Sequence, residues 1–214
     1  IEGGHPVDLL IATEPSATEL SMAQKAGVEL IQQPVCLDAF VFITHRDNPV
    51  DSLTVGQIQQ IYTGRITNWK QVGGLDQEMK AYQREANSGS QTAMEQLVMK
   101  GLRMTKPEKV RIISGMAGLV DAVAEYQNDT ASIGYTYQYY IDTLYRNDQI
   151  KVLRVEGVAP TPDNLRGDVY PLTTRYYGVI RAADARNTGG RFLEWMLSET
   201  GQQCIALAGY LPLR

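Results

Sequence analysis

Residues 83–98, Gln-Arg-Glu-Ala-Asn-Ser-Gly-Ser-Gln-Thr-Ala-Met-Glu-Gln-Leu-Val, place one cation and three hydroxyl side chains in front of an amphipathic run. That combination can hold an anion. A helix starting at Ser90 or Gln91 leaves its first backbone N–H groups unpaired and presents a positive dipole end. Ser88, Ser90 and Thr92 add hydroxyl donors, and Gly89 lets the backbone approach a ligand closely. Arg84 closes the strand-like run 80–84 and supplies a planar fork of donors that suits a tetrahedral oxyanion. The same residues also fit a plainer role, with Ser88 or Ser90 capping the helix and Arg84 paired with Glu85 or another surface acid. Nucleotide hydrolysis is not supported, because the Gly-x-x-x-x-Gly-Lys-Ser/Thr spacing and its lysine are absent.

The elements that must position these groups alternate. Residues 7–12 read as a strand, 18–27 as a helix, and 28–33 and 37–44 as two further strands, which argues an α/β sheet. From Thr54 the pattern is that of a complete helix: a capping threonine, apolar Val55, Ile58 and Tyr62, and a terminating Gly64. Strands are expected at 109–113, 131–140, 149–155 and 175–180, a helix at 116–126, and two closing helices between 188 and 208. The loop 155–168, with Pro160 and Pro162, is too short for a flexible tether, so two lobes would have to be joined by strands.

Composition narrows the function classes. With 214 residues, 43% apolar and 21% charged, the chain has the material for a real core. A net charge of −4 without a basic tail gives no reason to expect nucleic acid, so any anion must be captured locally. The longest apolar run, 39–43, is far too short to span a bilayer, and the chain opens on Ile1-Glu2-Gly3-Gly4 rather than on a signal peptide. Any targeting or anchoring segment is therefore expected outside it. Cys36 and Cys204 lie in apolar sequence and read as buried free thiols rather than a disulfide or a metal knuckle.

His5 and His45 join no catalytic arrangement, so an enzyme, a metal and a cofactor are not expected. Five tyrosines between 135 and 145 read as a sheet edge or lobe surface, Trp69 as an anchor for the loop after the helix at 54–62, and Trp195 as core or lobe packing. The strand-to-helix turn at Ser114, Gly115 and Gly118 lacks a cation and is at best a secondary contact.

Taken in order, residues 52–74 with their Ile-Tyr-x-Gly-x-Ile-x-x-Trp block, 84–97 with Arg-x-x-x-Ser-Gly-Ser, 131–140, 170–180 and 192–213 closely resemble the phosphate-binding proteins of bacterial ABC importers. The resemblance covers nearly the whole chain. It implies an α/β, two-lobe type II periplasmic-binding-protein fold with two crossing strands, the first lobe 1–43 plus 174–214 and the second 44–173. It also implies an extracytoplasmic solute-binding protein that captures inorganic phosphate, or a related tetrahedral oxyanion, between lobes that close on it. Carried over residue by residue, Arg84, Ser88, Gly89 and Ser90 match the second-lobe phosphate ligands, with Asn87 preceding them.

In the first lobe, residues 7–20 match the family segment that edges the cleft, which brings Thr13 and Glu14 to a ligand position. A carboxylate there would accept a hydrogen bond from monohydrogen phosphate and repel sulfate. Glu14 fits equally an acid leading a helix in Glu-Pro-Ser-Ala-Thr-Glu-Leu. Family members carry a further strand, helix and strand before this point, with a Gly-Ser-(Ser/Thr) phosphate contact, and nothing in the chain matches them, so the first lobe is expected to be incomplete. The partners implied are phosphate and the membrane subunits of an ABC permease, with no nucleic acid, for a monomer that is periplasmic or extracellular and anchored, as a lipoprotein, through a segment outside the chain. The alternative is a ligand-sensing or interaction module of a larger surface protein that keeps the fold without transport.

Overall fold

A computed structural model describes residues 7–15, 17–86, 88–106, 112–124 and 130–214. In chain order the elements are β1 (Leu10–Thr13), α1 (Ala17–Lys25), β2 (Leu30–His45), β3 (Ser52–Leu53), α2 (Val55–Tyr62), β4 (Lys80–Ala81), β5 (Gln83–Arg84) and α3 (Gly89–Ala93). Then follow β6 (Ile112–Ile113), α4 (Met116–Ala124), β7 (Ser132–Tyr137), β8 (Ile150–Val152), β9 (Arg154–Val155), α5 (Pro162–Arg166), β10 (Thr173–Arg181), α6 (Thr188–Leu197) and α7 (Glu199–Leu207). The chain forms two compact units, 1–38 with 174–214 and 39–173, and it passes between them within β2 and at the start of β10.

In the first unit β10 lies between β1 and β2, with β1 antiparallel to it in the register Leu10↔Val179 to Thr13↔Tyr176. Val35, Cys36, Ile180 and Leu193 form its buried centre. Gly178 makes that packing possible, since a Cβ there would lie 2.3 Å from Leu193 Cδ1. Gln202, 5% exposed, ties the C-terminal end together by donating to Val35 O and Met196 O and accepting from the Leu213 amide.

The second unit is built on the second half of β2, which pairs antiparallel with β7 and β8, while β4 runs parallel to β7. Every β2 residue from Val35 to His45 is buried. Phe40, Phe42, Tyr62 and Tyr135 pack as one cluster of rings with centroids 5.6–6.2 Å apart, in the edge-on and tilted geometries that aromatic quadrupoles favour. α4 crosses β7 at Gly134, where a Cβ would stand 2.7 Å from Leu119 Cδ2. α2 has the start and stop its sequence predicts: Thr54 caps Gln57 N–H in a reciprocal capping box, and Gly64 leaves the helix at φ +76°. Trp69 is buried and donates its indole N–H to Ala131 O at 2.8 Å, which fixes the turn after α2.

Several expectations are corrected. The strands expected at 28–33 and 37–44 are one strand, because Pro34 removes an N–H without bending an extended chain. The strand expected over 131–140 ends at Tyr137 and passes into a helical turn at Tyr140–Leu144. Tyr135 and Tyr137 are core residues of a strand flanked by β2 and β4, not edge or surface residues. The loop 155–168 contains α5, capped by Thr161 with Pro162 at its first position, where a missing N–H is no loss. Both cysteines are free as expected, but only Cys36 is buried; Cys204 faces solvent on α7. Trp195 is 41% exposed and stacks on Phe192 instead of entering a core. The expected strand start at Lys109 and helix end at Tyr126 lie outside the described residues.

Candidate functional site

β5 and β6 are parallel neighbours with Arg84 opposite Ile113, so the turns that follow them, leading into α3 and α4, open at the same end of the pair. Arg84 is 8% exposed. Its Nε donates to Ile113 O at 3.0 Å, and its backbone N–H donates to the Tyr135 hydroxyl at 3.1 Å. Among the described residues Arg84 forms no ion pair, and its buried Nη1 has no hydrogen-bond partner. The simpler pairing with Glu85 is not made: Glu85 accepts from the Ser114 hydroxyl of the neighbouring turn. A buried guanidinium with no ion-pair partner among the described residues is costly and suits an anion.

The helix begins one residue earlier than the pattern suggested, at Gly89. Ser88 is its N-cap, with Oγ accepting from Gln91 N–H at 3.2 Å. Capping uses the oxygen as acceptor and leaves the hydroxyl proton to donate elsewhere. The amides of Gly89 and Ser90, in the first turn, cannot reach an intrahelical carbonyl. Ser90 is 3% exposed, and among the described residues its buried Oγ has no partner. Gly89 faces open space: among the described residues, nothing beyond its chain neighbours and its own helix backbone comes within 4 Å of where a Cβ would stand. The helix continues as a wider, π-type coil over Met94–Met99 and ends at Lys100 in the left-handed region.

Arg84, Ser88, Gly89 and Ser90 thus belong to one strand-turn-helix segment, joined through Tyr135 and Gln91. The hydroxyl of Tyr135 accepts from the Arg84 amide and donates to Gln91 Oε1, while Gln91 Nε2 donates to Glu95 Oε1 at 2.9 Å. Burial pushes the Tyr135 phenol well above its ordinary range, against the opposing influence of the Arg84 amide and charge, so it remains a donor. Neither Tyr135 nor Gln91 was singled out from sequence. Gln91 lies at the expected helix start and Tyr135 in the tyrosine run, and only the folded hydrogen bonds from the Arg84 amide to Tyr135 and from Tyr135 to Gln91 unite them.

Asn87 lies outside the described residues. Thr13 and Glu14 belong to the first unit: Thr13 ends β1 opposite Tyr176, and Glu14 follows it at the surface. The Tyr177 hydroxyl is raised above its usual value first by burial and then by the charge of Glu14. The donors around Arg84 are guanidinium, hydroxyl and amide groups, a set that suits an oxyanion and offers a cation nothing. Among the described residues no cluster of three His, Cys, Asp or Glu side chains could hold a metal.

Several phosphate-binding proteins are similar to the chain. The phosphate-binding protein PstS of Borreliella burgdorferi is 26% identical over 83% of the chain and 64% of its own length; that of Bacillus subtilis is 23% identical over 94% and 65%. The chain thus spans just under two thirds of these curated relatives. A Clostridium perfringens protein solved with bound phosphate superposes with a TM-score of 0.77 at 29% identity, over 97% of the chain and 79% of its own. An ABC-type phosphate transport receptor from Vibrio cholerae does so with 0.76 at 26%, over 95% and 79%. The family model described as the PBP superfamily domain matches residues 4–200, and the chain therefore belongs to the PBP superfamily, with a type II periplasmic-binding-protein fold.

Proposed function

We propose that the chain is the ligand-capturing part of an extracytoplasmic solute-binding protein that takes up inorganic phosphate, or a related tetrahedral oxyanion, for an ABC importer. The observation that carries this reading is the buried Arg84, without an ion-pair partner among the described residues, beside the first-turn amides of Gly89 and Ser90 and the hydroxyls of Ser88 and Ser90. An oxyanion placed there receives charge-assisted hydrogen bonds without metal or catalysis. The relatives' names and the phosphate bound in one solved structure support the choice of anion. In this reading the lobes are 1–43 with 174–214 and 44–173, Asn87 flanks the cradle, and Thr13 and Glu14 serve the ligand from the first lobe. The protein acts as a monomer, is held outside the cytoplasm by an anchoring segment beyond the chain, and delivers phosphate to permease membrane subunits.

Titration calorimetry with phosphate and sulfate tests the reading directly. Phosphate should bind with measurable heat, and Arg84→Ala should weaken it by about 2–5 kcal/mol, the range for truncating one partner of a buried charge pair. Absence of heat with either anion, from a folded chain, overturns the proposal.

A further inference from the structure

We infer that Tyr135 and Gln91 are positioning residues that lock the Arg84 main chain to the first turn of α3. The inference rests on the oxyanion reading above and names the support for that site. Arg84 is the last residue of a two-residue strand, and such a strand has little pairing of its own to hold it in place. Its amide is directed instead to a phenol from β7, and that phenol passes the connection to the side chain of Gln91 in α3. Gln91 is held in turn by Ser88 Oγ on its amide and by Glu95 on its carboxamide. All three members of the chain are buried, Tyr135 at 1%, Gln91 at 5% and Arg84 at 8% exposure. A polar relay in such a dry place is rigid when every member is satisfied, so it fixes the spacing between the guanidinium stem and the helix amides. The preorganisation it supplies is the kind that lets a site hold a small anion without rearranging.

The test combines amide hydrogen exchange with calorimetry on four chains: the parent, Tyr135→Phe, Gln91→Met and the double variant. Tyr170→Phe is the structural control, since it also removes a buried hydroxyl, one that donates to Phe40 O at 3.0 Å and not to Arg84, Ser88, Ser90 or Gln91. Tyr135→Phe should expose the Arg84 amide to exchange at least tenfold faster and weaken phosphate binding about tenfold, the expected consequence of leaving a buried donor unpaired. Gln91→Met should act in the same sense, and the double variant should lose no more than the larger single loss, because both break one connection. Tyr170→Phe should lower the melting temperature while leaving phosphate affinity at the parent value. Unchanged protection of the Arg84 amide in Tyr135→Phe overturns the inference whether or not phosphate binds. Parent-like affinity in Tyr135→Phe also overturns it, as does strict additivity in the double variant. A parent chain that binds no phosphate refutes the oxyanion reading, while the exchange result still decides the positioning role.

Discussion

Gly89 separates what the fold needs from what a ligand needs. Its backbone is not in the left-handed region, and among the described residues an added Cβ would meet nothing within 4 Å beyond its chain neighbours and its own helix backbone. It is also the first residue of α3, where alanine restricts the unfolded chain more than glycine does. Gly89→Ala should therefore leave the ligand-free protein intact and stabilise it by about 0.5 kcal/mol, which for a chain of this size raises the melting temperature by about 1–2 °C. The open space beside Gly89 is where the proposed anion approaches the first-turn amides. A methyl group there pushes an oxyanion off at least one charge-assisted hydrogen bond worth about 1.5–3 kcal/mol, so the dissociation constant should rise at least tenfold. Differential scanning fluorimetry without ligand and calorimetry with phosphate measure the two halves of this statement. A Gly89→Ala chain that melts at or above the parent and binds phosphate equally well refutes the location of the site. A chain that unfolds refutes the claim that glycine is kept there for the ligand.

Other expected outcomes concern the scaffold. Gly134→Ala forces a methyl within 2.7 Å of Leu119 Cδ2 and 3.0 Å of Val123 Cγ2 in a closed core, and should lose about 1–3 kcal/mol in urea unfolding. Trp69→Phe removes the indole donor to Ala131 O, and the buried carbonyl left behind should lower stability by about 1–3 kcal/mol with little effect on Gly89 or Arg84. Burial, and secondarily Asp38, push the Cys36 thiol from 9.0 up to about 12, so the folded chain holds that proton more tightly than the unfolded one. Its contribution to stability is complete below pH 9 and is lost as pH rises from there toward 12; a Cys36→Ala chain should show a shallower alkaline decline in denaturant titrations. At pH 8 a thiol reagent should modify the exposed Cys204 promptly and Cys36 only on unfolding.

What was legible in the sequence is what neighbouring residues decide among themselves. Thr54 and Gly64 announce the two ends of α2, because caps and left-handed exits are settled within a few residues. The Ser-Gly-Ser run likewise announces a helix start, off by a single residue. Two strands are expected at 28–33 and 37–44 where one runs through, because the fixed φ of Pro34 ends helices but not strands and the run on both sides is β-rich. The tyrosines misled for a different reason. Alternation in 135–140 shows which residues share a face, but whether that face meets solvent or a ring cluster depends on β2, nearly a hundred residues earlier in the chain. Cys204 and Trp195 show the same limit on helices, since apolar composition did not tell which side of α6 and α7 is covered.

The chemistry of the cradle also separates affinity from selectivity. Arg84 and the first-turn amides only donate, and the uncharged Ser88 and Ser90 hydroxyls can donate to either anion, so these groups attract phosphate and sulfate alike. Monohydrogen phosphate differs in having a proton to give, so discrimination needs an acceptor that sulfate would find repulsive. In the second unit the nearest carboxylates of the same segment are already engaged, Glu85 by Ser114 and Glu95 by Gln91. Each uses one oxygen, Oε1, in that bond, so turning the whole group away would break a contact that holds the segment together while its second oxygen keeps acceptor capacity. Under the proposed reading Glu14 is the acceptor to test, with the second oxygens of Glu85 and Glu95 as the alternatives. Under that reading Arg84→Ala should weaken phosphate and sulfate binding alike, whereas Glu14→Gln should change the ratio of the two affinities in calorimetry, and an unchanged ratio would remove Glu14 from the reading.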